Sequence, residues 1–348
     1  MALELPVVPM LDERARVEAL RRQDTLTKPP GSLGRIEELG VRLAAITGNS
    51  RPSVTLKAII VMAADHGVTS EGVSAYPPQV TAQMVLNFLR GGAAINVLAR
   101  QASARVAVVD IGVAGDLPTH PDLYARKIAA GTRNMAKGPA MARAQAEAAV
   151  AVGMSIFEAE YSKGVDLIAT GDMGIGNTTA ASAVVAAITG KPPQAVTGRG
   201  TGIDDSTLER KIAVIERALS HNRPDPKDAL DVVAKVGGLE IAGLAGSIVG
   251  AAARRVPVVV DGFVSGAAAL IACGLVPAVK PYLFAGHVSV EKGHIVTLDY
   301  LGLNPLLDLN LRLGEGTGAV LAFHLLEAAA RIHSEMATFA EAKVSSRP

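Results

Sequence analysis

A carboxylate stands inside a glycine-rich stretch near the C-terminal end of the sequence. Gly314, Gly316 and Gly318 surround Glu315 in the string GEGTG, and an apolar pattern typical of a helix follows. A glycine-rich loop that opens a helix usually binds phosphate, because its backbone N–H groups and the helix dipole favour an anion. A carboxylate would repel phosphate. Glu315 therefore either complements the helix dipole or has a chemical task of its own.

A second glycine-rich stretch, 171-GDMGIGNTTAASA-183, is suited to binding phosphate or ribose. It follows an apolar run typical of a strand and precedes a helical pattern, with Thr178 and Thr179 in the turn. The lysine of a P-loop is absent, and the glycine spacing differs from a dinucleotide fingerprint. The residues alone leave two interpretations open, an anion or ribose site and a tight strand–helix connection.

Four basic residues lie near glycine-rich strings or in the helical pattern that follows one. They are Arg133, Arg199, Lys211 and Arg312. Arginine can grip phosphate in a bidentate manner, although any one of these residues is more often a solvated surface charge. Only a cluster of them at strand ends would favour phosphate binding.

Acids and histidines also follow the predicted strands. Asp65, His66, His287 and His294 have no strong metal-ligand spacing. We interpret them as polar residues that line strand ends or cap helices, and we predict no metal site.

The elements that must position these residues alternate between short β-branched runs and longer alanine- and leucine-rich segments. Nearly continuous apolar runs are typical of parallel strands covered on both faces. The predicted strands are 56–64, 105–113, 165–171, 256–262 and 282–286, with a sixth near 305–309. Helical patterns cover 79–100, 140–161, 175–189, 206–220, 238–253, 263–274 and 289–301. This order predicts an α/β fold with a parallel sheet and right-handed crossovers.

Glycine and polar residues follow five of these strands, in loops that begin at residues 65, 110, 171, 261 and 286. Ligands of open parallel sheets bind beyond the carboxyl ends of the strands. The coincidence predicts one crevice lined by several loops.

The two ends of the chain carry helical patterns and no predicted strand. We expect residues 1–50 and 315–348 to form a small, discontinuous helical domain, and residues 51–314 to form the sheet domain with the active-site loops.

Composition excludes several classes of protein. The chain has 348 residues, 49% of them hydrophobic, and can bury a large core. A net charge of +1, 3% aromatic residues and no tryptophan argue against a nucleic-acid binder. The uncharged runs 173–190 and 262–279 contain polar residues, or glycine and proline, and predict buried helices rather than membrane spans. The single cysteine, Cys273, and the lack of a targeting segment predict a cytoplasmic location.

Eight strings, taken together and in order, carry a resemblance to a known family. They are TKPPGSLGRIEELG, ADHGV, EGVSAYPPQVTAQMV, GDMGIGNTTAASA, GRGTGIDD, VDGFVSGAAAL, GHVSVEKGH and RLGEGTGA. They closely resemble the nicotinate-nucleotide–dimethylbenzimidazole phosphoribosyltransferases, which help to assemble the lower ligand of cobalamin. The resemblance covers roughly residues 20–345. It implies a Rossmann-like parallel sheet with a small helical domain, and a homodimer whose partner completes the active site.

The resemblance also implies a reaction without a metal or organic cofactor. A nitrogen of 5,6-dimethylbenzimidazole attacks the anomeric carbon of nicotinate mononucleotide. Nicotinate leaves, and the α-riboside 5′-phosphate forms with inverted configuration. The acceptor must lose its N–H proton, which a carboxylate can take as general base. The leaving group needs no acid, because the pyridinium nitrogen becomes neutral as it departs.

The family's residues map onto this chain motif by motif. Glu315 matches the family's general base. Ser74, Tyr76 and Gln83 are expected to frame the planar base. The residues expected to hold phosphate and ribose are Gly174, Ile175, Gly176, Asn177, Arg312, Leu313 and Gly314, with Lys211 as a further contact for anionic groups.

Asp172 departs from the family pattern. Many relatives have glutamate in the string GEMGIGNTT, whereas this chain has the shorter aspartate. The change alters the reach of the carboxylate, so we expect Asp172 to be a site residue whose role stays open.

Two other functions fit the sheet architecture. An NAD-dependent oxidoreductase would need a G-x-G-x-x-G turn after the first strand, and the chain has Asp65-His66 there. A nucleotide sensor without activity would leave Glu315 with no task except to complement the helix dipole.

Overall fold

The computed structural model describes residues 3–345. Within that span eight strands occur: β1 Lys57–Ala64, β2 Ala104–Gly112, β3 Leu123–Ala125, β4 Leu167–Met173, β5 Val258–Val260, β6 Leu283–Ala285, β7 His287–Ser289 and β8 Leu307–Leu311. Six of them form one sheet in the order β3-β2-β1-β4-β5-β6, and every pairing in it is parallel. This is the strand order of dinucleotide-binding folds, and it confirms the predicted α/β class.

Helices cover the sheet and join its strands. They are α1 Glu13–Thr25, α2 Arg35–Thr47, α3 Val80–Leu89, α4 Ala94–Gln101, α5 Arg143–Tyr161, α6 Asn177–Thr189, α7 Pro193–Val196, α8 Asp205–Asn222, α9 Ala229–Val236, α10 Leu239–Ala253, α11 Phe263–Leu275, α12 Lys292–Leu301, α13 Thr317–Glu335 and α14 Phe339–Ala342. All eight residues of β1 are buried, as expected for a strand covered on both faces. The two uncharged runs, 173–190 and 262–279, contain the buried helices α6 and α11. Among the described residues no helix is both long and apolar enough to cross a bilayer.

A second, two-stranded sheet brings the last loops of the chain together. Strand β7 pairs with β8 in parallel, and Ser289 lies opposite Leu311. Because β7 ends at Ser289 and β8 ends at Leu311, the residues that follow both strands emerge side by side. The sequence patterns do not predict this pairing, because a three-residue strand is too short to show alternation.

The predicted helical ends of the chain contact each other. The guanidinium of Arg22 on α1 donates to the carbonyl oxygens of His333 and Met336, at 2.6 and 3.0 Å. One continuous hydrophobic core nevertheless contains Leu43 of α2, Phe323 of α13 and the strands of the large sheet. The division into two domains stays a prediction, and its residues 1–2 and 346–348 lie outside the described residues.

Several predicted boundaries were wrong. The pattern over 79–100 is two helices, α3 and α4, because Gly91 takes a left-handed conformation with φ of +75° and ends the first. The predicted helix 289–301 begins only at Lys292, after β7. The short strand β3 and the helices α7 and α9 were not predicted.

Candidate active site

One cavity lies beyond the carboxyl ends of the central strands. It encloses about 480 Å³ and is lined by the loops that follow β1, β4, β5, β7 and β8. The predicted site residues on its wall are Ser74, Tyr76, Asp172, Gly174, Ile175, Gly176, Asn177, Lys211, Arg312, Leu313, Gly314 and Glu315. Four of the five loops predicted to line a crevice therefore do so, whereas the loop that begins at residue 110 contributes no lining residue.

The N-terminus of α6 opens on this cavity. Gly176 precedes the helix with φ of +92°, and it has no side chain that could occupy the first-turn N–H groups. The N–H of Ile175 donates to Oγ1 of Thr81 on α3, at 3.1 Å, and this bond fixes the loop. An uncapped helix N-terminus at a cavity wall is a good environment for a phosphate group.

Lys211 reaches the same wall from α8. Its ammonium group is buried and donates to Oγ1 of Thr178 at 2.8 Å and to the carbonyl oxygen of Gly198 at 3.3 Å. An ammonium has three N–H donors, so one is left for a ligand. Burial lowers the pKa of Lys211 to about 8, and the nearby carboxylate of Glu291 opposes that shift. Lys211 thus supplies a cation to the cavity at neutral pH.

The loop that follows β8 contacts the loop 198-GRGTG-202 at the cavity. Arg312 donates to the carbonyl oxygen of Gly200 at 3.1 Å, and the N–H of Gly200 donates to Glu291 at 2.8 Å. Gly200, Glu291 and Arg312 all line the cavity wall. The loops that follow β7 and β8 are therefore both tied to the 198–202 loop through Gly200.

Glu315 is a buried carboxylate on the cavity wall. Its Oε2 accepts the N–H of Ile95 in the first turn of α4, at 3.2 Å. Among the described residues only this oxygen of the carboxylate has a hydrogen-bond partner, so Oε1 is left for a ligand. Burial raises the pKa of Glu315 above its usual value, which the Ile95 N–H opposes and the charge of Asp261 reinforces.

Asp172 lies next to Glu315 at the end of β4. The N–H of Glu315 donates to the carbonyl oxygen of Asp172 at 3.2 Å, and the side chain of Asn177 donates to the Asp172 carboxylate at 2.8 Å. Burial raises the pKa of Asp172 well above its usual value, and the nearby carboxylates of Asp261 and Glu240 add to the effect. Asp172 is therefore a weak acid on the wall, held by Asn177.

The planar base was predicted to lie against the 74–83 loop. Ser74 and Tyr76 line the cavity, but Gln83 is exposed and does not. Val80 and Met84 of α3 line it instead. Gln83 precedes Met84 by one residue and thus points about 100° away around the helix.

The remaining polar residues singled out in the sequence have structural contacts. Nε2 of His66 lies 2.9 Å from Glu240, and Nδ1 of His294 accepts the N–H of Ser289 at 2.9 Å. An oxygen of Asp65 accepts the N–H of Ala114 at 2.8 Å. No group of three or more potential metal ligands occurs among the described residues. Neither Arg133 nor Arg199 lines the cavity.

Other cavity-lining residues were not selected from the sequence. They are Val73, Val80, Met84, Met173, Thr178, Gly200, Thr201, Gly262, Phe263, Val264, His287, Ser289 and Glu291. Most of them lie in loops that follow predicted strands. Their position directly after a strand is the signal that could have identified them.

Comparisons with known proteins agree on a class of enzyme. A family model described as phosphoribosyltransferase matches residues 8–344. The chain belongs to this family, and it is a phosphoribosyltransferase. Its relatives include proteins named nicotinate-nucleotide–dimethylbenzimidazole phosphoribosyltransferase.

Individual relatives match over nearly their whole length. The proteins of that name from Chloroflexus aggregans and Geobacter sulfurreducens are 66% and 58% identical, over 97% and 96% of this chain and 96% and 95% of their own. The crystal structure of the Thermus thermophilus protein superposes with a TM-score of 0.92 at 51% identity, and the match covers 97% of this chain and all of that one.

Proposed function

We propose that this enzyme transfers the 5-phosphoribosyl group of nicotinate mononucleotide to 5,6-dimethylbenzimidazole. The products are α-ribazole 5′-phosphate and nicotinate. The substrates follow from the names of the relatives. The observation that carries the proposal is Glu315, a buried carboxylate with one oxygen open to a cavity that also holds Lys211 and a helix N-terminus.

The lone-pair nitrogen of the acceptor attacks the anomeric carbon while the bond from that carbon to the pyridinium nitrogen breaks. The electron pair of the breaking bond neutralises the pyridinium, so nicotinate leaves without an acid. The proton on the other acceptor nitrogen goes to Glu315, and the product ring stays neutral. Attack opposite to the leaving group inverts the anomeric carbon. Only one carboxylate is needed, in contrast with the two of a glycosidase.

The phosphate is placed at the start of α6, beside Lys211. Three features support this placement: the N-terminus of α6 without a side-chain cap, the third N–H of Lys211 and the charge of Arg312. The base is placed against Val80, Met84 and Phe263, which are apolar and line the cavity. In this proposal Glu315 serves the incoming base, and the phosphate is held by α6, Lys211 and Arg312.

The first test is an activity assay with the purified chain. We expect stoichiometric formation of nicotinate and a riboside phosphate from the two substrates, measured by chromatography and mass spectrometry. Omission of the azole should abolish release of nicotinate. Release without the azole would indicate a hydrolase, and no turnover with several benzimidazoles would contradict the proposal.

We also propose that the enzyme works as a homodimer in the cytoplasm. The family resemblance suggests the dimer, and two apolar side chains on the cavity wall are exposed, Tyr76 at 54% and Leu313 at 58%. A partner chain would cover such side chains. Light scattering after size exclusion should give about twice the chain mass of 35.8 kDa. A mass of one chain at micromolar concentration would contradict the dimer.

A further inference from the structure

A buried carboxylate outside the cavity wall holds the first turn of α13. Asp261 follows β5 and is fully buried. Its Oδ2 accepts the N–H of Gly316 at 3.1 Å, and its Oδ1 accepts the N–H of Ala319 at 2.9 Å. Gly316, the residue that precedes α13, offers no cap of its own. The helix is therefore capped by a residue more than 50 positions away, on another element of the sheet domain.

The loop capped in this way has an unusual backbone. Gly314, Glu315 and Gly316 have φ angles of +84°, +62° and +93°. These angles lie in the left-handed region, which residues other than glycine disfavour, so contacts from the surroundings must hold Glu315 there. The loop also packs closely on β4, because a Cβ at Gly171 would lie 2.4 Å from the carbonyl oxygen of Glu315. Its conformation depends on contacts from outside the loop.

His287 packs against both Asp261 and α13. Its Nε2 lies 3.6 Å from Oδ1 of Asp261, and a Cβ at Gly318 would lie 1.9 Å from its ring. Nδ1 of His287 lies 3.0 Å from the carbonyl oxygen of Val288, and a carbonyl can only accept, so Nδ1 carries a proton. His287 lines the cavity and Asp261 does not. Asp261 can therefore act on a substrate in the cavity only through neighbouring residues.

We propose that Asp261 is the positioning residue for Glu315. Its carboxylate fixes the amides on the C-terminal side of Glu315, so the Glu315 side chain reaches the cavity and the Ile95 N–H from a strained backbone. Burial raises the pKa of Glu315, and the negative charge of Asp261 adds to that effect. This role rests on the proposed function. Holding Glu315 in place speeds the reaction because Glu315 takes the acceptor's proton.

The ionisable groups around Glu315 come from several elements. Asp172 lies at the end of β4, with Glu240 of α10 near it, and Asp261 follows β5 with His287 of β7 beside it. From α4 the contact to Glu315 is the backbone N–H of Ile95. A change at Asp261 therefore acts on Glu315 through charge as well as through position.

The test compares Asp261→Asn with the wild type. Asparagine has one oxygen, so one of the two amides loses its acceptor. We expect kcat to fall by about 10²-fold, the usual effect of misplacing a catalytic group by about 1 Å, with KM for the nucleotide within about threefold. The acid limb of the pH profile should move to lower pH, because loss of the Asp261 charge eases ionisation of Glu315.

Asp110→Asn is the matched control. Asp110 is also a buried carboxylate at a strand end, accepts the N–H of Val113 at 2.9 Å, and does not line the cavity. It should keep the wild-type kcat and pH profile. The urea unfolding midpoints of both variants show any loss of stability that they share. If Asp261→Asn does not fold, Asp261→Ser replaces it, because serine provides one hydroxyl acceptor. A folded Asp261 variant with wild-type kcat and acid limb would overturn the role.

Hydrogen exchange gives a readout that does not need activity. The amides over residues 314–320 should exchange about tenfold faster in Asp261→Asn, as for loss of one hydrogen bond, and should be unchanged in Asp110→Asn. Unchanged exchange in Asp261→Asn overturns the positioning role. If Asp261→Asn exchanges faster but the wild type makes no riboside phosphate, Asp261 still positions the loop. That result counts against the proposed function and not against the positioning role.

Discussion

Glu315→Gln should bind both substrates with near wild-type affinity. Its rate of reaction should be lower by about 10²–10⁴-fold, which is the usual contribution of a general base. Glutamine has the same size and can still accept the N–H of Ile95, which Glu315 accepts at 3.2 Å. What it lacks is the ability to take the acceptor's proton. Single-turnover kinetics at saturating substrates would measure the loss in the chemical step.

The acceptor's own acidity provides a second measurement. A benzimidazole with electron-withdrawing groups, such as 5,6-dichlorobenzimidazole, gives up its N–H proton more readily and needs less help. The Gln variant should therefore lose less rate with it than with the dimethyl compound. An equal loss with both acceptors would show that proton removal is not what Glu315 does. Glu160→Gln, a buried glutamate on α5 that does not line the cavity, is the control and should be active.

The raised pKa of Glu315 also fixes the sign of a pH effect. Burial favours the protonated form, and a general base must be ionised to act. The value of kcat/KM for wild type should thus fall as pH decreases through this raised pKa, at a higher pH than for an ordinary glutamate. The limb should be absent in Glu315→Gln.

The sequence predicted the sheet and the loops because both have strong local signals. Buried parallel strands such as β1 are continuous apolar runs, and the glycine and polar residues after them mark their carboxyl ends. Elements without such a signal were missed. Strands β3 and β7 have three residues each, as β5 and β6 do, but they lie outside the apolar runs that marked those two strands. The break between α3 and α4 depends on one left-handed glycine.

Site chemistry was less accessible to the sequence than site position. Local sequence shows that Glu315 begins a helix, where the dipole alone would lower its pKa. Burial of the carboxylate in the folded chain opposes that effect, and no local pattern reports it. Likewise Asp261 caps α13 across 55 residues of sequence. Gln83 does not line the cavity, because matching a motif does not say which face of a helix meets it.

The second large effect is expected at Lys211. Lys211→Met keeps most of the buried aliphatic volume and removes the ammonium group that donates to Thr178 and Gly198. A hydrogen bond to a charged group contributes about 1.5–3 kcal/mol, so the Kd for nicotinate mononucleotide should rise by about 10- to 100-fold. Calorimetric titration of each enzyme with the nucleotide would measure the change.

Lys57→Met is the matched control. Lys57 is also a buried lysine, but it pairs with Glu327 at the opposite end of β1 and does not line the cavity. Its loss should lower stability and leave nucleotide affinity unchanged. The pairing of the two variants separates the effect of removing a buried charge from the effect of removing a phosphate contact.

The substrate can locate what Lys211 touches. If its third N–H binds the 5′-phosphate, nicotinate riboside, which lacks that group, should bind wild type and Lys211→Met equally. Burial lowers the pKa of Lys211 to about 8, so in wild type the charge is present below that pH and lost above it. Affinity for the nucleotide should therefore weaken as pH rises through about 8, and the Met variant should show no such change. A variant that weakens riboside and nucleotide alike would assign Lys211 to holding the loops of Thr178 and Gly198, and the phosphate contact would then belong to α6 and Arg312.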